Sequence, residues 1–163
     1  RLFRRQRQMC IRDSLTADCA PILIFDKQKK MVAAIHAGWK GAYKGIISKV
    51  INFMIKKGCE KKNMIAVIGP CIAQKSYNVK EDFKRKFLKK DKRNKVFFKK
   101  RKNLIYFDLS KYVKLQLKLM KITNLETINI DTFPKKNNFF SARRSLHLNH
   151  DDYGRNISLI MIN

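Results

Sequence analysis

The order of hydrophobic and polar residues predicts short strands that alternate with amphipathic helices. Two apolar runs at residues 21–25 and 31–35 are separated by a polar turn, a pattern typical of a β-hairpin. Apolar residues then recur at helical spacing over residues 42–57, and Gly58 is suited to end that helix. The other predicted strands are residues 64–68, 96–98, 103–107, 127–130 and 157–162, and the other predicted helices are residues 81–88 and 109–120.

Alternating strands and helices predict an α/β fold. The 163 residues are enough for one domain with a substantial core. Residues 1–14 are basic and show no strand or helix periodicity, and they end in MCIRDS, which a translated sequencing adapter would give. We expect residues 1–14 to be foreign or disordered, with a basic arm or an arginine-rich transit segment as alternatives. Residues 15–163 are expected to form a single domain, with the lysine-rich residues 89–102 as an exposed loop.

Charge is the most unusual feature of the composition. The chain has 38 lysines and arginines against 12 aspartates and glutamates, a formal net charge of +26. Such a charge is typical of proteins that bind nucleic acid or anionic membranes. The basic residues are mostly lysine and are scattered along every segment, which favours solvated surface positions. We expect non-specific adhesion to nucleic acid at low salt, but no dedicated nucleic-acid partner.

Neither a membrane span nor a disulfide framework is predicted. No apolar run approaches the length of about 18 residues that a membrane-spanning helix needs. The four cysteines are irregularly spaced, unlike those of small secreted domains. These features predict a cytoplasmic protein without a membrane partner.

The predicted hairpin brings two reactive side chains together. Cys19 precedes its first strand and His36 follows its second, so antiparallel pairing places a thiol and an imidazole at the same edge. These are ligand types that zinc prefers, and a catalytic zinc site usually has three protein ligands. The spacing of the pair matches no short zinc motif, so a buried cysteine and a hydrogen-bonded histidine are the alternatives.

Four motifs stand in a characteristic order along the chain. They are TADC at residues 16–19, HAGWKG at 36–41, GPCI at 69–72 and FFSARR at 139–144. Their order and spacing resemble the laccase-domain family, described as multicopper polyphenol oxidoreductases and as zinc-dependent purine nucleoside phosphorylases that also deaminate adenosine. The resemblance covers about residues 15–163. It implies a layered α/β/β/α sandwich with mixed sheets, in which the first strands are missing and a sheet edge is left exposed.

The resemblance also implies site residues. It assigns Cys19 and His36 as catalytic metal ligands, with zinc as the cofactor, and expects a third histidine in an upstream Gln-x-His motif. No histidine precedes Cys19 in this sequence. The resemblance implies purine nucleosides and phosphate as substrates, and Lys40 beside the helix start is a candidate to hold phosphate. The adjacent Arg143 and Arg144 are further candidates, because arginine binds phosphate in a bidentate manner.

Because one ligand is absent, we expect phosphorolysis and deamination by this chain to be impaired. A copper-dependent polyphenol oxidase is the first alternative, although one cysteine and one histidine are too few ligands for several copper ions. A basic nucleic-acid-binding module is the second alternative. No role as a ligand is assigned to Cys71, His147 or His150, since a buried thiol and a solvated loop account for them.

Overall fold

The computed structural model describes residues 11–150 and 153–162, so the prediction for residues 1–10 lies outside the described part. The strands are β1 Ile11–Thr16, β2 Ala20–Asp26, β3 Met31–Ala37, β4 Met64–Ile68, β5 Asn78–Val79, β6 Phe98–Arg101, β7 Leu104–Phe107, β8 Asn124–Thr127 and β9 Asn156–Met161. The α-helices are α1 Trp39–Tyr43, α2 Ile46–Lys56, α3 Glu81–Lys90, α4 Leu109–Leu119 and α5 Ala142–His147. Short 3₁₀ turns cover Lys61–Asn63, Gln74–Ser76, Lys92–Phe97 and Lys135–Asn137.

A four-stranded mixed sheet is the centre of the fold. Its strand order is β3-β2-β4-β8, with antiparallel pairs except for the parallel pair β4–β8. The predicted hairpin is confirmed, because β2 and β3 pair over their whole length and Pro21 lies opposite His36. Most residues of β2 are buried, as expected for a strand covered on both faces. The mixed α/β class predicted from the sequence is thereby confirmed.

Helices and a second sheet cover the central sheet. Helix α2 packs against β3, and α4 packs against β2 and α2. The β1–β9 pair, an antiparallel two-stranded sheet, contacts β2 and β3. A third sheet, with the order β5-β7-β6, packs against α3 and α4 through aromatic side chains, among which Phe87 of α3 and Phe107 of β7 are fully buried. Their ring centroids are 4.8 Å apart. No helix in the described part of the chain is long and apolar enough to cross a membrane.

The single helix predicted over residues 42–57 is wrong, because two helices cover this stretch. Gly45 has φ +80°, a left-handed conformation that separates α1 from α2 and that glycine adopts readily. Helical spacing of the apolar residues nevertheless holds within α2, where Ile47, Ile51 and Met54 are buried. The predicted stop is confirmed, since Gly58 follows α2 with φ +89°.

Other differences from the predicted elements lie at strand boundaries and in elements that were not predicted, namely β1, β5 and α5. Residues 11–14 showed no strand pattern, but they form part of β1 and pair with β9. The predicted loop at 89–102 contains the end of α3, a 3₁₀ turn and β6, so the strand lies two residues later than predicted. Similarly, β8 ends at Thr127, where a strand was predicted to begin. Pairing with neighbouring strands, which no local pattern reports, determined these positions.

A buried carboxylate connects the loop before β2 to distant parts of the chain. The side chain of Asp18 accepts hydrogen bonds from the Thr132 hydroxyl (2.7 Å), the Ser141 hydroxyl (2.9 Å) and the Arg143 backbone N–H (2.7 Å). Its backbone carbonyl accepts from the N–H of Ile72 at 3.0 Å. Asp18 has φ +79°, an uncommon conformation for a residue other than glycine. These bonds hold the TADC, GPCI and FFSARR segments together.

A second buried carboxylate closes the hairpin turn. Asp26 accepts hydrogen bonds from the backbone N–H groups of Gln28, Lys29 and Glu60. Burial opposes ionisation of this carboxyl, but the hydrogen bonds outweigh it and lower the pKa of Asp26 below its ordinary value. The hairpin turn is therefore tied to the segment before β4 by a carboxylate that is stabilised in its charged form.

We predict that Asp18→Asn lowers the free energy of unfolding by about 1–3 kcal/mol, because an amide cannot accept from all three donors. Urea denaturation of the purified chain measures this change. Asp13→Asn is the matched control, since Asp13 is exposed on β1. Equal changes in the two variants would contradict a structural role for the Asp18 carboxylate.

We predict that Asp26→Asn lowers the Tm by several degrees at pH 7 and by much less at pH 3. The lowered pKa means that the charged carboxylate stabilises the fold above its unfolded pKa of about 3.9, and that this contribution is lost as the pH falls through the folded value. Calorimetry of both proteins across this range tests the prediction. A Tm difference that does not change with pH would contradict it.

Candidate active site

Cys19 and His36 lie side by side at the open end of the β2–β3 hairpin, as the pairing register requires. A Cβ atom placed on Gly38 would lie 2.8 Å from Cys19 Sγ and 4.0 Å from His36 Nε2. Both atoms therefore approach one point on the chain, and any side chain at position 38 would collide with the thiol. The Cys19 thiol is partly buried and His36 is exposed, so the pair is accessible from solvent.

The thiol of Cys19 is held in its neutral form in the absence of a positive partner. Burial, and secondly the negative charge of Asp18, raise the pKa of Cys19 to about 11. A thiol with this pKa is a weak nucleophile at neutral pH, because little thiolate is present. A bound cation would favour the thiolate over the neutral thiol, since a thiol that coordinates a metal loses its proton.

A third donor does not join the pair within residues 11–150 and 153–162. No group of three or more histidine, cysteine or acidic side chains that could hold a metal ion occurs there. His147, at the end of α5, packs its ring 5.6 Å from that of Phe133. Cys71 is buried, and burial, followed by Asp108 and Asp131, raises the pKa of its thiol to about 12.

Two depressions share three of their lining side chains, and Cys19 lines the smaller of them. The smaller, of about 180 Å³, is lined by Asp18, Cys19, Ile72, Leu146 and others. The larger, of about 690 Å³, is lined by Glu81, Asp82, Phe83, Asn103 and others. Trp39, Tyr77 and Arg143 line both. The two therefore adjoin, and together they form a cleft that runs from the thiol to the start of α3.

Arg143 is fixed in the middle of this cleft. Its backbone N–H donates to Asp18, and its guanidinium donates to the backbone carbonyl of Asn78 (3.0 Å) and to its side-chain oxygen (2.7 Å). The guanidinium carbon lies 5.3 Å from the centroid of the Tyr77 ring, within range of a cation–π interaction. Neither partner of the guanidinium is a carboxylate, so its positive charge is not neutralised by these contacts.

The two other predicted phosphate-binding residues are placed differently. Arg144 does not line the cleft, and its guanidinium donates hydrogen bonds to the backbone carbonyls of Thr132, Phe133 and Phe139. Lys40 is exposed on α1, with its ammonium 5.6 Å from the centroid of the Trp39 ring. The structure therefore brings Cys19, His36 and Arg143 to one region and gives Arg144 contacts that stabilise the fold. The assignments of Lys40 and Arg144 to phosphate stay predictions.

Sequence reasoning missed two residues that shape the cleft. Tyr77 is not among the candidates predicted from the sequence, but it is buried, its ring centroid lies 5.3 Å from the guanidinium carbon of Arg143, and it lines both depressions. Asp131 is likewise absent from the candidates predicted from the sequence. Its carboxylate accepts from the N–H groups of Ala73 and Phe133 and from the Ser76 hydroxyl, which fixes the segment after GPCI. The aromatic residue after GPCI was the available signal for Tyr77, whereas no local pattern indicated the role of Asp131.

Comparison with known proteins identifies the family. Residues 3–163 match the family model described as multi-copper polyphenol oxidoreductase laccase. A relative in Rickettsia conorii named purine nucleoside phosphorylase is 42% identical over 144 residues, which are 87% of this chain and 59% of the relative. A relative of the same name in Bacteroides thetaiotaomicron is 33% identical over 148 residues, or 88% of this chain and 54% of the relative.

Solved structures agree with this relationship. A crystal structure of a Neisseria meningitidis protein superposes with a TM-score of 0.81 at 28% identity, covering 94% of this chain and 60% of that protein. A Bacillus licheniformis protein superposes with a TM-score of 0.82 at 27% identity, covering 94% of this chain and 58% of that protein. The chain thus spans less than two thirds of the length of these relatives. It belongs to the multi-copper polyphenol oxidoreductase laccase family.

Proposed function

We propose that the cleft between Cys19 and the start of α3 binds a purine nucleoside and phosphate for phosphorolysis. The observation that carries this proposal is the position of Arg143, whose guanidinium lies over the Tyr77 ring without a carboxylate partner and lines the same depression as Trp39 and Cys19. The relatives named purine nucleoside phosphorylase support the same activity. The chain spans 59% and 54% of those two proteins, so we propose their activity for this chain rather than state it.

Each part of the cleft suits one part of such a substrate. The rings of Trp39 and Tyr77 offer apolar walls against which a purine packs. The guanidinium of Arg143 offers a planar, permanently charged donor to phosphate oxygens. The carboxylates of Glu81 and Asp82, in the larger depression, are acceptors for ribose hydroxyl groups. In phosphorolysis, phosphate oxygen forms a bond to C1′ of the ribose as the bond from C1′ to the purine nitrogen breaks. Arg143 would hold the attacking phosphate in position for this exchange.

Zinc is the cofactor that the family resemblance implies, and Cys19 and His36 fit two of its ligand positions. Their sulfur and nitrogen are donor types that zinc prefers, and both approach the same point beside Gly38. No third protein donor joins them in the described part of the chain. When bound, zinc would supply a Lewis acid and an activated water, which adenosine deamination requires. We therefore propose that this chain has weak activity on inosine with phosphate and on adenosine.

Assays of the purified chain test this function directly. Phosphorolysis is measured as phosphate-dependent release of hypoxanthine from inosine, and deamination as release of ammonia from adenosine. Catalysis of either reaction at the rate of a relative such as the Rickettsia conorii protein would contradict the expected impairment. Failure of inosine and phosphate to bind at all would contradict the proposed function.

We predict that Cys19→Ser and His36→Ala each weaken zinc binding by at least about tenfold, since loss of a direct ligand costs more affinity than a change in a residue that only orients a ligand. Zinc titration with a competing chelator measures the affinity, and elemental analysis separates zinc from copper. His150→Ala is the control, because His150 is exposed beyond α5. Equal affinity in all variants would show that the pair does not bind the metal, and copper in place of zinc would favour polyphenol oxidation.

We predict that Arg143→Gln weakens binding of phosphate, in the presence of inosine, by about tenfold or more, because a charged hydrogen bond is lost. The Tm should fall less than in Arg144→Gln, since the backbone N–H that contacts Asp18 is retained and only the side-chain contacts with Asn78 and Tyr77 are lost. Arg144→Gln should leave phosphate binding unchanged and lower the Tm further, because three buried or partly buried carbonyls lose their donor.

Isothermal titration and thermal denaturation of the two variants provide this comparison. Arg85→Gln is the charge-matched control, because Arg85 is exposed on α3 and its loss removes the same charge. Equal weakening by Arg85→Gln and Arg143→Gln would mean that phosphate responds only to the overall positive charge.

A further inference from the structure

The side chain of Asn78, in the wall of the cleft, is oriented by Arg143. Its Oδ1 accepts a hydrogen bond from Nη1 of Arg143 at 2.7 Å, and the backbone carbonyl of Asn78 accepts from the same nitrogen at 3.0 Å. An asparagine amide has one acceptor oxygen and one nitrogen that carries two donors. Because the oxygen faces the guanidinium, the orientation of the amide is determined, and Nδ2 lies on its other side.

The Nδ2 of Asn78 donates no hydrogen bond to any residue that the structure describes. In that part of the chain, the buried side-chain polar atoms without a partner are the hydroxyl oxygens of Ser14 and Thr127. Nδ2 is not one of them, and Asn78 is a half-buried residue that lines the larger depression. Its two N–H groups are therefore open to the cleft, where a ligand can accept hydrogen bonds from them.

The same contact determines which edge of the Arg143 guanidinium is free. A guanidinium has five N–H donors, and the two on Nη1 are both used by Asn78. The donors on Nε and Nη2 have no hydrogen-bond partner within residues 11–150 and 153–162. Nε and Nη2 lie along one edge of the guanidinium, an arrangement that binds two oxygens of one phosphate. Asn78 therefore leaves Arg143 with a bidentate donor edge and its full positive charge.

An amide at position 78 suits phosphate better than a carboxylate would. Asn78 belongs to β5 and lies opposite Tyr106 of β7, although asparagine is depleted in strands. A carboxylate in its place would also hold Arg143, but it would neutralise the cation and present no donor. Glu81 and Asp82 line the same depression, and their negative charges already oppose an anion there. A neutral amide orients the guanidinium without adding to this repulsion.

We propose that Asn78 is a second phosphate-binding residue beside Arg143. Its Oδ1 holds Nη1 of Arg143, its Nδ2 donates to one phosphate oxygen, and Nε and Nη2 of Arg143 donate to two others. This assignment rests on the proposed function, and it adds a neutral donor to the cation that the proposed function already uses. It also specifies the ligand as an anion that offers at least three acceptor oxygens to one side of the cleft.

Asn78→Asp tests this assignment, because it keeps the acceptor for Nη1 of Arg143 but removes both donors and adds a negative charge. Binding of inorganic phosphate in the presence of inosine, measured by isothermal titration, should weaken by about tenfold or more. Asn78→Ala removes the donors without adding a charge, so it should weaken phosphate binding by about three- to tenfold. Binding of inosine without phosphate should change by about twofold or less in both variants, because inosine is uncharged.

Asn103→Asp is the matched control for the added charge. Asn103 is exposed, lines the same depression and forms no hydrogen bond with Arg143 in the described part of the chain. The control should weaken phosphate binding by about twofold or less. Thermal denaturation gives the second measurement, since Asn78→Asp should keep or raise the Tm by pairing a carboxylate with Arg143. Weaker phosphate binding without a fall in Tm is a combination that a purely structural role for Asn78 does not give.

Unchanged phosphate affinity in Asn78→Asp, while Arg143→Gln weakens it, would overturn the assignment of Asn78 and leave the proposed function standing. Equal weakening by Asn78→Asp and Asn103→Asp would also overturn it, because phosphate would then respond only to the charge of the cleft. Unchanged phosphate affinity in Arg143→Gln would instead overturn the proposed function, and the assignment of Asn78 with it.

Discussion

The buried carboxylate of Asp18 is the interaction on which the candidate site depends. It lies next to Cys19 and accepts hydrogen bonds from Thr132, Ser141 and Arg143, which follow it by more than one hundred residues. A buried, multiply bonded carboxylate is costly to leave unsatisfied, so the loops that carry these donors cannot move independently. The left-handed backbone of Asp18 is stabilised by the same bonds. One side chain therefore fixes the thiol and the central cation of the cleft relative to each other.

The adjacent Arg143 and Arg144 have the same side chain but different roles, because they occupy different positions in the fold. The guanidinium of Arg143 lines the cleft and lies over the Tyr77 ring, whereas that of Arg144 donates hydrogen bonds to three backbone carbonyls. Since both belong to the start of α5, their side chains point to different sides of the helix. The same division applies to the many lysines, most of which are exposed and act only through the overall charge. A strongly basic composition therefore says little about where an anion binds in this protein.

The candidate metal-binding pair and the β1–β9 sheet both have groups that the described residues leave without a partner. Cys19 and His36 fit two positions of a zinc site, and no third donor stands beside them in the described part of the chain. The β1–β9 sheet likewise has an apolar face and edges that the described residues do not cover. Both features concern the side of the fold where β1 and β9 contact the β2–β3 hairpin.

The sequence by itself determined the elements that depend on neighbouring residues, namely the β2–β3 hairpin and the start of α4. The hairpin follows from two apolar runs around a polar turn, and its register places Cys19 and His36 next to each other. The start of α4 follows from Asp108, whose side chain accepts a hydrogen bond from the N–H of Lys111. Family motifs added Arg143 to the candidates. Only the tertiary structure decided that Asp18 joins three segments and that Tyr77 supports Arg143. It also showed that residues 11–14 pair with β9, because hydrogen bonds and strand pairs between residues far apart leave no periodic trace in the sequence.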